Sequence, residues 1–268
     1  MMGWINFEIF AAISLLCWLA GGGFLLLKTT NPAFRTVAPT ILALSGFISL
    51  LLFIVLLWLK IDRPPMRTLG ETRLWYAALL ALIGMVSFVR WKYKWLLAYS
   101  LFMGGLFLVI NLLHPETYDK SLMPALQSVW FIPHVIVYLF AYALLAASSL
   151  VAIKAIYQDH HGRNWQHLPD LADNFVYLGF SFLTMGLLFG ALWAKEAWGH
   201  YWTWDPKETW AFISWTAYLI YIHYRYKHLK KHKPAMWILI VAFGLLLICW
   251  FGVNYLPTAQ NSVHTYSG

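Results

Sequence analysis

APTILALSGFISLLLFIVLLWL, residues 38–59, runs for twenty-two positions without a charged side chain. A helix rises about 1.5 Å per residue, so about 20 apolar residues cross about 30 Å of hydrocarbon. The stretch is long enough to span a bilayer, and runs of the same kind flank it on both sides. They lie at 7–27, 74–89, 95–113, 134–153, 175–193, 210–224 and 236–253, which predicts eight transmembrane helices. The runs at 74–89 and 210–224 are short. Tyr221, Tyr224 and Tyr226 extend the second of these into an aromatic interface belt. The first reads either as a span or as a tilted or re-entrant element.

Composition agrees, with 61% hydrophobic and 11% charged residues, where a soluble domain is about a quarter charged. Long apolar runs favour helices over a barrel, whose strands alternate. The expected fold is all-α: one polytopic integral membrane helix bundle over residues 1–268. The first run has no basic residues ahead of it and opens a series of similar spans, so it is expected to remain as a helix. Cys17 and Cys249 each fall inside a predicted span and form no CxxC pair. They read as packing residues, which argues against a thiol oxidoreductase, a zinc site or a covalently hemylated cytochrome.

A net charge of +8 reflects topology rather than nucleic-acid binding, because the basic residues sit in short loops and the bilayer is the partner. Counted by alternating side, lysine and arginine concentrate in the inner loops when both termini lie outside. RYKHLKKHK, residues 225–233, is the strongest inner loop. The exception is 60–73, where Lys60, Arg63, Arg67 and Arg73 fall outside.

Between the sixth and seventh spans, residues 193–210 read WAKEAWGHYWTWDPKETW and hold five of the sixteen tryptophans. An interfacial belt spreads its aromatics over many helix ends. Concentration in one polar connection points instead to a platform for a flat, amphipathic ligand, and a porphyrin fits that description. Asp205, Pro206, Lys207 and Glu208 also form a capping-box pattern with proline at the first helical position, so the acidic pair reads equally as helix start or as ligand site.

Iron in a porphyrin takes axial ligands such as imidazole. His160, His161, His167, His228 and His232 fall in inner polar loops, and His200 in a solvated turn. His134, after Pro133 at the outer entrance of the fifth span, and His264, in the outer tail, share a side with the tryptophans. His114, before Pro115, competes with them. His223 lies near the inner end of the seventh span, where an ionisable residue at membrane depth points to function, or to snorkelling.

WGHYWTWDPKETWAFISW resembles the tryptophan-rich WWD motif of the CcsA/ResC family of system II cytochrome c biogenesis. PALQSVWFIPHV resembles the segment with that family's first external histidine, and GVNY followed by HTYSG its terminal stretch with the second. The resemblance covers the C-terminal half in three ordered blocks. It implies that His134 and His264 ligate an external heme b, held on a platform of Trp198, Trp202, Trp204, Asp205 and Glu208. It also implies that His223 belongs to a second heme site within the membrane, shared with a CcsB/ResB-type partner.

The implied function is presentation of reduced heme on the outer face to apocytochrome c, whose CxxCH thiols form thioether bonds, as one subunit of a cytochrome c synthase. Thiol-reducing, thioredoxin-like proteins are implied partners. A bacterial plasma membrane is the first expected location and a thylakoid membrane the second. Lys195, Lys207 and the 60–73 arginines are candidates for the propionates, the arginines also for docking a partner. The competing readings are a system I heme-delivery protein and a transporter of another amphipathic substrate.

Overall fold

The computed structural model describes residues 4–27, 31, 33–118, 125, 128–229 and 231–256. Eight long helices account for most of them: α1 (Phe7–Leu26), α2 (Ala38–Ile61), α3 (Leu69–Trp91), α4 (Lys94–Leu113), α5 (Phe131–His160), α6 (Leu168–Trp198), α7 (Pro206–Lys227) and α8 (His232–Trp250). No strand occurs among the described residues. Seven of the eight are long and apolar enough to cross a membrane. The exception is α7, whose 22 residues suffice in length, but whose tryptophans, tyrosines, hydroxyl residues and His223 lower its apolarity.

The run at 74–89 belongs to a full-length helix. α3 has 23 residues and starts five positions before the apolar run, because Thr68 and Glu71 form a capping box that begins it on polar residues. The polar stretch 154–174 is mostly helical as well: α5 continues to His160 and α6 begins at Leu168, so the true connection spans only 161–167.

Contacts group the chain into two units, Met1–Leu126 and Gln127–Gly268. Within each unit, every helix packs on its sequence neighbours and the first closes against the fourth. In the first unit, α1 and α2 approach closely at Gly46. A Cβ there would sit 2.5 Å from the Trp18 indole nitrogen, and the Ser14 hydroxyl donates to the Gly46 carbonyl at 2.9 Å.

The anomalous basic loop divides by role. Glu71 is buried, and Arg63 donates to both of its carboxylate oxygens, at 3.0 and 2.7 Å. One positive charge in this loop therefore compensates a carboxylate that the helix start requires. Arg67 and Arg73 each keep a buried guanidinium nitrogen without a hydrogen-bond partner. Burial, reinforced by the neighbouring Arg63 charge, lowers the Arg67 pKa from its usual value.

In the second unit, α5 and α6 form the most extensive pairing. α7 is tied to α6 at its basic end, where Tyr221 donates to Asp173 at 2.7 Å and the Arg225 Nε to the same carboxylate at 3.0 Å.

Candidate functional site

The tryptophan-rich connection is built on two helix ends. α6 stops at Trp198 because Gly199 takes a left-handed conformation, φ 86°, and its amide bonds back to the Lys195 carbonyl. The Lys195 ammonium donates to the Gly199 carbonyl at 2.8 Å and lies 5.4 Å from the Tyr201 ring centre, so this candidate for the propionates is engaged in the turn itself.

Asp205 then caps α7. Its carboxylate accepts from the Lys207 amide at 2.9 Å, while Glu208 reaches back to the amides of Asp205, at 3.1 Å, and Thr203, at 2.8 Å. The capping reading of the acidic pair is therefore realised: both carboxylates hold the loop's backbone. The residue so held is Trp204, at φ 59° with 63% of its surface exposed. A left-handed conformation costs a non-glycine residue about 1–2 kcal/mol, and the cap hydrogen bonds offset it. Beside it, the Trp202 indole nitrogen is buried without a hydrogen-bond partner.

The aromatic rings form two groups. In one, His134 lies 5.3 Å from Trp193, centre to centre, and Trp193 lies 4.9 Å edge-on to Trp198. In the other, Trp202 meets Trp204 at 5.7 Å, and Trp204 meets Phe212 of α7 at 5.8 Å. The candidate platform residues Trp198, Trp202 and Trp204 are thus divided between two helix ends. Trp193, which sequence reasoning left out of the site, meets His134, as does Tyr138 at 4.5 Å. Trp193 is only 4% exposed and ends an apolar run, so in sequence it looks like any helix-terminal aromatic.

His134 sits at the start of α5 with its Nδ1 2.9 Å from the Gly186 carbonyl oxygen. A carbonyl only accepts, so Nδ1 carries the proton and the lone pair resides on Nε2. That tautomer leaves Nε2 able to bind a metal while Nδ1–H is held by an outer partner. His161 makes a similar bond to the Tyr157 carbonyl, so the bond sets a tautomer without by itself marking a ligand.

His223 is exposed on α7 and donates Nδ1–H to the Leu219 carbonyl at 2.9 Å. It borders an open groove with Leu219, Ile220, Tyr224, Lys227 and His228. Fifteen residues separate it from Glu208, about 22 Å along the helix, so the two sites occupy opposite ends of α7. His264 lies outside the described residues. His114 is exposed and pairs with Glu116 at 2.7 Å. His232 Nδ1 accepts from Arg225 at 2.8 Å. Among the described residues, no three histidine, cysteine or acidic side chains group as a metal site.

The family model described as Cytochrome C assembly protein matches residues 68–259. The cytochrome c biogenesis protein CcsA of Chlamydomonas reinhardtii is 36% identical over 239 residues, covering 81% of this chain and 66% of the relative. That of Trachelium caeruleum is 30% identical over 288 residues, covering 91% and 89%, and that of Nymphaea alba 32% over 248 residues, covering 78% and 80%. A solved structure titled cytochrome c heme lyase CcmF shares the fold, with a TM-score of 0.72 at 18% identity over 94% of this chain. The chain spans about two thirds of the algal relative and 47% of that lyase chain.

Proposed function

This chain belongs to the cytochrome c assembly family, alongside the CcsA proteins, and from that premise we propose that it handles heme as the substrate of cytochrome c maturation. In this reading it is the heme-presenting subunit of a system II synthase, embedded in a bacterial plasma membrane or its thylakoid counterpart with both termini outside. The observation that carries the proposal is the setting of His134: Nδ1 is held by the Gly186 carbonyl, Nε2 bears the lone pair, and Trp193 leads from the ring to Trp198.

The residues present suit a porphyrin. Imidazole Nε2 is a good axial donor to iron, indole faces stack on a π-system, and the partnerless Trp202 N–H supplies a donor for a polar edge. His134 would hold the iron from one side and His264 from the other. Trp198, Trp202 and Trp204 would bear the plane, with Asp205 and Glu208 acting as the frame of the platform rather than touching the substrate. His223, exposed on the opposite end of α7, would serve a second heme together with a ligand from a CcsB/ResB-type partner.

In the attachment step, each CxxCH thiol of apocytochrome c adds across a heme vinyl group. A C–S bond forms, the thiol hydrogen goes to the neighbouring vinyl carbon, and no oxidant is consumed. The cysteines must arrive reduced, which is the task of thioredoxin-like partners. This chain contributes position: it fixes the porphyrin so that the vinyl edges face the incoming peptide.

The test is the absorption spectrum of the detergent-purified chain, alone and with its partner, before and after His134→Ala. A bis-histidine spectrum that the substitution perturbs sustains the proposal. Absence of heme from the native complex under heme-replete conditions overturns it in favour of a transporter of another amphipathic substrate. Co-purification with an ABC transporter and a heme chaperone, instead of a CcsB-type protein, would favour system I delivery.

A further inference from the structure

We infer that Gly186 and Gly190 of α6 are positioning residues for His134, one supplying the carbonyl that orients the imidazole and the other the space that lets it reach that carbonyl. The inference rests on the reading of His134 as an iron ligand. His134 and Tyr138 lie one turn apart on α5, and the two glycines lie one turn apart on the facing helix. A Cβ at Gly190 would fall 2.8 Å from His134 Cε1 and 2.9 Å from its Nδ1, and a Cβ at Gly186 would overlap the Tyr138 ring.

Such distances leave no room for any side chain. Alanine would be the better helix former at both positions by about 1 kcal/mol, so the glycines are not there for the helix. Their effect is to let an imidazole lie directly on a helix backbone. That contact does two things for a ligand: it selects the Nδ1–H tautomer and it stops rotation about the ring's bond to the chain. Tyr138, 4.5 Å from the imidazole in an edge contact, and Trp193, at 5.3 Å, also pack on the ring. Ligand orientation by an outer hydrogen bond of this kind is typically worth 10–100-fold in metal affinity.

Gly179 provides the internal control. It lies on α6 and packs against Leu145 of α5, where a Cβ would meet the leucine at 2.9 Å. Gly179→Ala therefore inflicts a comparable steric insult on the same helix pair without touching His134.

The experiment adds ferric heme b to the detergent-purified full chain and records the low-spin absorption and heme retention of Gly190→Ala, Gly179→Ala and His134→Ala, each with and without exogenous imidazole. The expected result is that Gly190→Ala, like His134→Ala, loses the low-spin spectrum and retains heme about 10–100-fold less tightly, that imidazole restores the spectrum in both, and that Gly179→Ala keeps it. The inference alone is overturned if Gly190→Ala keeps the native spectrum while His134→Ala loses it, if Gly190→Ala and Gly179→Ala fail together, or if imidazole rescues only His134→Ala. If His134→Ala itself changes nothing, the ligand reading and this inference fall together.

Discussion

Asp173 of α6 and Arg225 of α7 form a two-point ion pair, with Nε 3.0 Å from both carboxylate oxygens and the arginine only 4% exposed. A buried guanidinium is costly unless every donor is matched, and here Asp173, Asp170 and His232 between them accept from it. The pair fastens the end of α7 that carries His223, two positions before Arg225.

Removing one partner leaves the other charge buried. Asp173→Asn should lower the stability of the purified chain by about 3 kcal/mol, the lower end of the range for a broken buried pair, since Asp170 is largely exposed and water can reach the site. Thermal unfolding in detergent measures it. A loss below about 0.5 kcal/mol would mean that the pair is solvated.

Arg63 and Arg67 should behave differently despite standing four residues apart. Arg63→Ala strands the buried Glu71 carboxylate and should cost about 3 kcal/mol, with Glu71→Gln in the same background restoring part of it. Arg67 keeps its Nε without a hydrogen-bond partner, and Arg67→Ala should leave stability within about 0.5 kcal/mol. If loop 60–73 docks a partner, Arg67→Ala weakens the complex with the CcsB-type protein or lowers holocytochrome yield. Heme retention, complex formation and yield all unchanged would remove any functional role for Arg67.

Glu208→Ala deletes the oxygen that accepts from both Thr203 and Asp205, and losing a cap costs about 1–2 kcal/mol. The expected outcome is a modest drop in melting temperature and a red shift of tryptophan emission as the loop loosens, with heme retention weakened less than by His134→Ala. Loss of heme equal to that of His134→Ala would place Glu208 in contact with the substrate.

Trp204→Asn exchanges a strained residue for one that tolerates a left-handed backbone. Stability should hold or rise by up to about 1 kcal/mol while heme retention falls, a split readable by unfolding and by heme titration on one sample. Falling stability would show that Trp204 is present for packing.

His223→Ala, at an exposed position, should change stability by less than about 0.5 kcal/mol and leave the spectrum of the external site intact, while the complex with the partner loses the second heme. Unchanged heme content in that complex would remove His223 from the proposed pair.

Several features were legible in residue order because their causes are local. Apolar runs of bilayer length identify α1, α2, α4, α5, α6 and α8 directly, and the D-P-K-E pattern marks the first turn of α7. Thr68 and Glu71 form an equivalent box, yet their polarity masked the true start of α3 behind an apolar run that begins only at Leu74. The concentration of tryptophan at 193–210 drew attention to that connection, and position alone drew attention to His134.

What tertiary structure decided was pairing. Nothing in the order of residues says that Gly186 faces Tyr138, that Trp193 meets His134, or that Arg63 pairs with Glu71. These facts depend on which faces of two separate helices meet, and at what height. A glycine four residues from another looks the same in sequence whether it lies against lipid or under a histidine, because packing between helices is non-local and a residue's neighbours along the chain do not encode it.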